Sequence, residues 1–264
     1  MVEFMVPLGG HSAWGNNEVR YMLRSLEKYC KFSFNVTFFV NELIDWLKAE
    51  QIKVERYYPE KILKKNNGAR SFENYYDVLN KVRSYASSGD GDFVYIYDDV
   101  CLLRDIEYED IKNLSQNTFT KRSIAKHFNS RRWGKTLIQP HLLLGFVDYN
   151  YEHHLPMIYN KQKLRELFKR FPLEKTYPPY PLATMYFNMF PEEADEWGLV
   201  EYKVGFEGTV SKVACYNSSD VNEVVRGKTW LNYNDFGLKW QHNKQIPLMD
   251  WIENNYQDKS RFET

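Results

Sequence analysis

Phe93-Val94-Tyr95-Ile96-Tyr97-Asp98-Asp99-Val100-Cys101-Leu102-Leu103 is the stretch on which the fold turns. Five apolar or aromatic residues in a row predict a strand buried on both faces, the kind found at the centre of a parallel sheet. Such a strand rarely tolerates adjacent charges, yet this one ends in two carboxylates. At the carboxyl end of a central strand, two acids lie where open α/β sheets bind ligands. Paired carboxylates there suit the holding of a divalent cation against a phosphate. The plainer reading is a surface turn in which Asp98 caps the next segment.

Outward from that strand, the first hundred residues alternate between two periods. Glu3 to Leu8 reads as a strand closed by Gly9-Gly10, and Val19, Met22, Leu23 and Leu26 then recur at helical spacing. Asn16 or Asn17 is placed to cap that helix, with Glu18 at the positive end of its dipole. Asn35 to Val40 reads as a second strand, Glu42 to Ala49 as a helix, and Ile52 to Tyr57 as a third strand. A helix capped by Ser71 runs to about Tyr85 on a stripe of Phe72, Tyr76, Leu79 and Val82, and Ser87 to Gly91 breaks it. This β-α-β-α-β order predicts an α/β protein with a parallel sheet and crossover helices.

After Asp105 the texture changes. Polar loops surround a basic cluster of Lys121, Arg122, Lys126, Arg131, Arg132 and Lys135, which reads either as a solvated loop or as a phosphate-binding surface. Further helices are expected at Lys161 to Phe171, Thr184 to Phe190 and Pro247 to Tyr256, around a proline-rich crossing from Phe171 to Leu182. The expected organisation is one large domain: residues 1–105 as a nucleotide-binding-type α/β half, and residues 106–264 as an irregular half that completes the site.

Composition bounds the function. Of 264 residues, 43% are hydrophobic and 27% charged, as in ordinary globular chains, and Lys+Arg equals Asp+Glu at 35 each. That balance argues against a dedicated nucleic-acid coat or a basic membrane-surface protein. Cys30, Cys101 and Cys215 form no metal-binding spacing, and no stretch approaches the roughly 20 apolar residues of a bilayer span, so a cytoplasmic protein with free thiols is expected. There is no Gly-x-Ser-x-Gly elbow, Walker loop or Gly-x-Gly-x-x-Gly fingerprint. What remains is a set of polar islands: Asn16/Asn17/Glu18/Arg20, Asp98/Asp99, Glu152/His153/His154 and Asn232/Asn234/Asp235. Taken singly, each has a bland reading: a solvated helix face, a turn, or a satisfied structural histidine pair.

The segment from Asn16 to Tyr29 resembles the N-[ND]-E-L-R-Y-S-L-R-S-I-E-K block of the Stealth-type sugar-phosphate transferases and related bacterial and viral glycosyltransferases. Tyr97 to Leu102 is similar to the N-D-D-V-F-L block of that group. His153 falls in a block resembling its His-Pro-containing region, and Asn234-Asp235 resembles its terminal I-N-D block. The resemblance implies a GT-A-like Rossmannoid mixed sheet flanked by helices, and a transferase using a nucleotide-sugar donor, UDP-sugars first, with Mn²⁺ or Mg²⁺. It assigns Asp98, Asp99, His153 and Asp235 to catalysis, Asp99 and His153 to the metal, and Asn17, Arg20, Arg24 and Arg70 to the donor. The amino-terminal Phe4 to His11 departs from that group's D-x-V-x-T-W-V-D-G opening, and Tyr97 stands in place of its Asn. A glycoside and a sugar-phosphate diester therefore both stay open as products. The acceptor is a glycan or another hydroxyl compound, hydroxymethylated DNA among the alternatives, and a non-catalytic carbohydrate- or nucleotide-binding module is a further one.

Overall fold

A computed structural model describes residues 1–9, 12, 14–57, 72–128, 133–195, 221–233 and 247–264. Strands β1 (Val2–Pro7), β2 (Phe34–Val40), β3 (Ile52–Val54), β4 (Asp92–Tyr95) and β8 (Met157–Asn160) form one sheet in the order β3-β2-β1-β4-β8. The first four run parallel and β8 antiparallel, with Phe4 opposite Val94 on one side of β4 and Tyr159 opposite Phe93 on the other. Helices flank both faces, so the protein is a mixed α/β structure with a mostly parallel, Rossmann-like sheet.

The alternation of side chains along each central strand builds two cores. Phe4, Val6, Val36, Phe38, Val94 and Ile96 point to one face, where helix α1 (Asn17–Tyr29) lays Val19, Met22, Leu23 and Leu26 on them. Met5, Phe39, Phe93 and Tyr95 point to the other face. There they meet Tyr76, Leu79 and Val82 of α2 (Glu73–Ala86), together with Leu164 and Leu167 of α5 (Lys161–Arg170) and Tyr186 and Phe187 of α6 (Leu182–Met189). Each such side chain contributes about 1.5–3 kcal/mol by leaving water. Between α2 and α5 the chain also forms β5 (Val100–Leu102), β6 (Asn117–Thr118), α3 (Lys121–Phe128), α4 (Trp133–Leu144) and β7 (Tyr149–Asn150). Beyond α6 lie α7 (Val221–Val225), β9 (Trp230–Asn232), which pairs with β5, and α8 (Pro247–Asn255).

Three expectations need correction. No helix forms over Glu42 to Ala49, because the C-terminal segment claims that backbone: Lys48 N–H donates to Phe262 O (2.9 Å), Thr264 N–H donates to Trp46 O (2.9 Å), and Leu47 bridges to Glu263. The polar loops expected around the basic cluster are instead two helices, α3 and α4. Asn16 occupies the N-cap of α1, but in the left-handed region (φ 61°) and without a side-chain cap, while Ser12 Oγ accepts its N–H (2.8 Å).

The order 3-2-1-4 reverses direction between β1 and β4, so the sheet opens a crevice at their carboxyl ends. A buried lysine braces one wall of it. Lys81, on α2 and wholly buried, donates to Leu8 O just past β1 (2.5 Å), to Asn41 Oδ1 just past β2 (2.5 Å) and to Asp77 Oδ2 (2.7 Å). Burial lowers its pKa, and Asp77 opposes that shift. Replacing Lys81 by Met strands the Asp77 charge in the interior. The variant is expected to lose about 3–5 kcal/mol in urea unfolding, with part regained in Lys81→Met/Asp77→Asn. A loss below about 1 kcal/mol would show that the ammonium is not a brace.

Candidate functional site

Strand β4 delivers Asp98 and Asp99 to the crevice. Its last hydrogen bond to β1, Ile96 N–H to Met5 O (3.1 Å), holds the chain extended to Ile96; the chain then turns through the acids into β5. Asp98 is half-buried and Asp99 is only 8% exposed. Such a carboxylate needs fixed donors, and β9 supplies them. Asn232 Nδ2 donates to Asp99 Oδ1 (3.0 Å), and Tyr233 N–H donates to the Asp99 carbonyl (2.9 Å). The Tyr233 hydroxyl in turn donates to the carbonyl of Glu18 (3.2 Å) in the first turn of α1. One residue thus ties the acid pair to the amino end of a 13-residue helix, whose positive dipole end favours anions.

The second oxygen of Asp99 faces an imidazole. His154 Nδ1 lies 3.8 Å from Asp99 Oδ2, and the His154 ring stacks on Tyr97 at 4.5 Å with 9° between planes. Tyr97 is steadied in turn by the edge of Tyr95 (5.0 Å, 84°). Burial, aided by the nearby Glu152 charge, pushes both phenols well above their ordinary pKa, so they remain neutral beside the acids. The segment carrying His154 is set by polar locks: Glu152 Oε1 accepts Thr184 N–H (3.0 Å), and Asn150 Oδ1 accepts Glu152 N–H (3.0 Å).

His153 is not at the site. It is wholly buried, with Nε2–H donating to Leu114 O (2.8 Å) and Nδ1 accepting Leu155 N–H (3.2 Å), so neither nitrogen is left for a metal. In the turn before β8 the ring that faces the acids belongs to His154. Arg24 also has another task. Its Nε and Nη2 grip Glu263 through two 2.8 Å hydrogen bonds, and Nη1 donates to Tyr256 O (3.0 Å). The hydrogen bond to Glu263 raises the guanidinium pKa; burial alone would raise that of Glu263, but Arg24 and Ser260 bring it below its ordinary value. Arg20 donates to Asn17 Oδ1 (2.9 Å), pairs with Glu263 (3.3 Å) and lies over the Trp46 ring (4.5 Å). Both arginines therefore fasten the C-terminal segment to α1. Asp235 and Arg70 lie outside the described residues.

Asp98, Asp99 and His154 are brought together, with Asn17 and Glu18 one hydrogen-bonded residue away. Asn232 was visible in the sequence only as part of a turn-like island, and nothing there signalled that it holds Asp99. No family model matches the chain, and no curated protein matches it.

Because it is buried, His153 has its pKa lowered from 6.5 to about 4. The depressed value means that the unfolded chain takes up the proton first as pH falls. The associated stability is full above pH 6.5 and is lost between 6.5 and about 4, amounting to about 3 kcal/mol. Urea unfolding across that window is expected to show the slope, and His153→Gln to flatten it. A variant as pH-sensitive as the parent would contradict the assignment.

Proposed function

We propose that the chain is a GT-A-like, metal-assisted transferase that moves a sugar from a nucleotide-sugar donor to a hydroxyl acceptor. The observation that carries this reading is the placement of Asp98, Asp99 and His154 at the sheet's switch point, beside the amino end of α1. A diphosphate donor brings clustered negative charge, and its leaving nucleoside diphosphate gains more in the transition state. A helix amino end and a carboxylate-held cation oppose that charge from two sides.

The donor set fits such a cation. Among the described residues no group of three or more His, Cys, Asp or Glu could hold a metal, so a closed protein cage is not the fitting case. Asp99 Oδ2 and His154 Nδ1, 3.8 Å apart, are too far for a hydrogen bond. Mg²⁺ and Mn²⁺ sites of this kind take one or two carboxylates and complete their shell with substrate phosphate and water. Bound Mn²⁺ or Mg²⁺ would neutralise the donor's diphosphate. In this reading Asp99 and His154 hold the cation, Asp98 stands beside it as the more accessible carboxylate, and Asn232 fixes the angle of Asp99. His154 takes the place that the sequence reading gave to His153.

With Mn²⁺ present, one of the UDP-, GDP- or CMP-sugars is expected to raise the melting temperature by about 5–10 °C at a concentration near 100 times its Kd. Asp99→Asn and His154→Ala are expected to abolish the Mn²⁺-dependent part of that shift, while His153→Gln retains it. Product analysis should find released nucleoside diphosphate; monophosphate would mean that a sugar phosphate is transferred instead. No shift and no hydrolysis with any of these donors would end the proposal.

A further inference from the structure

From Ile111 to Val147 the chain contains seven Lys or Arg and no Asp or Glu, although at its average density of acids about five would fall there. That stretch forms, in its described residues, a pair of packed helices, α3 and α4. It leaves the body at β6, returns at β7, and is closed at its base by the pairing of Asn117 with Asn150 and Thr118 with Tyr149. Its inner seam is apolar, with Phe119, Leu137 and Val147 buried and Ile124 and Leu144 packed against them. Its outer side is different in kind. On α3, Lys121, Arg122 and Lys126 share the exposed face. On α4, Lys135 and Leu142, two turns apart on one face, are both exposed. Just past the helix, Phe146 is 65% exposed and Leu142 61%, two of the barest large apolar side chains among the described residues. The Phe146 ring lies 5.8 Å from His141, which meets Phe119 at 4.7 Å, two residues before Lys121.

We propose that the outer side of the α3–α4 pair docks on an anionic lipid bilayer, with Lys121, Arg122, Lys126 and Lys135 at the headgroups and Leu142 and Phe146 inserted below them. Single exposed apolar residues are ordinary. Two of them close to four exposed cations, with Asp148 the next acid along the chain, form the pattern of an interfacial anchor. Charge complementarity selects acidic lipid over neutral lipid, each basic residue near the surface adding roughly fivefold to partitioning. Duplex nucleic acid would match the cations equally well but offers no apolar layer for Leu142 and Phe146, so the bilayer is the better fit. No helix among the described residues is long and apolar enough to cross a membrane, and surface docking requires none. The proposal stands independently of the reading of the acid pair.

The test is co-sedimentation of the full chain with vesicles of 70% phosphatidylcholine and 30% phosphatidylglycerol, against pure phosphatidylcholine and a 20-base-pair DNA duplex. Binding is expected to the acidic vesicles only, weakening as salt rises. Leu142→Ser/Phe146→Ser should lower it at least about fivefold, and Lys121→Glu/Arg122→Glu at least tenfold. All four side chains are exposed, and melting curves matching the parent would confirm intact folds; Lys126→Glu provides a second charge variant. Absence of binding to the acidic vesicles overturns the proposal. So does binding that is indifferent to the Leu142/Phe146 change, or tight duplex binding that ignores that change, the last marking a nucleic-acid surface.

Discussion

The arrangement depends on how strand β4 ends. It is paired on both edges and buried on both faces, so its direction is fixed, and whatever follows Ile96 is delivered to the crevice between β1 and β4. The chain places two carboxylates there, and the neighbouring elements serve to keep them. The β5–β9 ladder brings Asn232 and Tyr233 to Asp99, Tyr233 reaches on to α1, and the turn before β8 sets His154 against the remaining oxygen. A charge so little exposed costs stability unless it is hydrogen-bonded and oriented, and these contacts do both.

Around this acid the protein keeps other titratable groups neutral. His153 is held neutral by burial, which outweighs the opposing hydrogen bond to Leu114 O, and Tyr95 and Tyr97 stay protonated at any ordinary pH. Asp98, Asp99, Glu18 and Glu152 thus cluster at or near the crevice, an acidic set that favours a divalent cation. The arginines that a sequence reading would set against that field are instead drawn to Glu263, where they join α1 to the chain's last turn.

What could be read from the sequence was local. The unbroken apolar run from Phe93 to Tyr97 and the stripe Val19-Met22-Leu23-Leu26 identified a buried strand and its covering helix, and the strand's acidic end identified the crevice. What could not be read depended on partners far along the chain. Arg24 meets Glu263 across 239 residues and Asn232 meets Asp99 across 133, separations at which neither charge pattern nor spacing carries a signal. The helix expected over Glu42 to Ala49 failed for the same reason, since the C-terminal segment takes up its backbone groups in extended form. The histidine pair could not be resolved from sequence because the two rings leave one turn in different directions, and the backbone partners of that turn decide which faces the acids. Nothing in the sequence marked Lys81, whose three partners sit on separate elements and include the segments just past two strands.

The central claim is that Asp99 and His154 hold a divalent cation against a donor diphosphate. Anomalous diffraction from a crystal grown with UDP and Mn²⁺ tests it most directly. The account predicts one manganese peak bridging Asp99 Oδ2 and His154 Nδ1, in contact with the diphosphate, with His153 still bound to the Leu114 carbonyl. UDP bound with no manganese at these two side chains, or manganese held elsewhere, would contradict it.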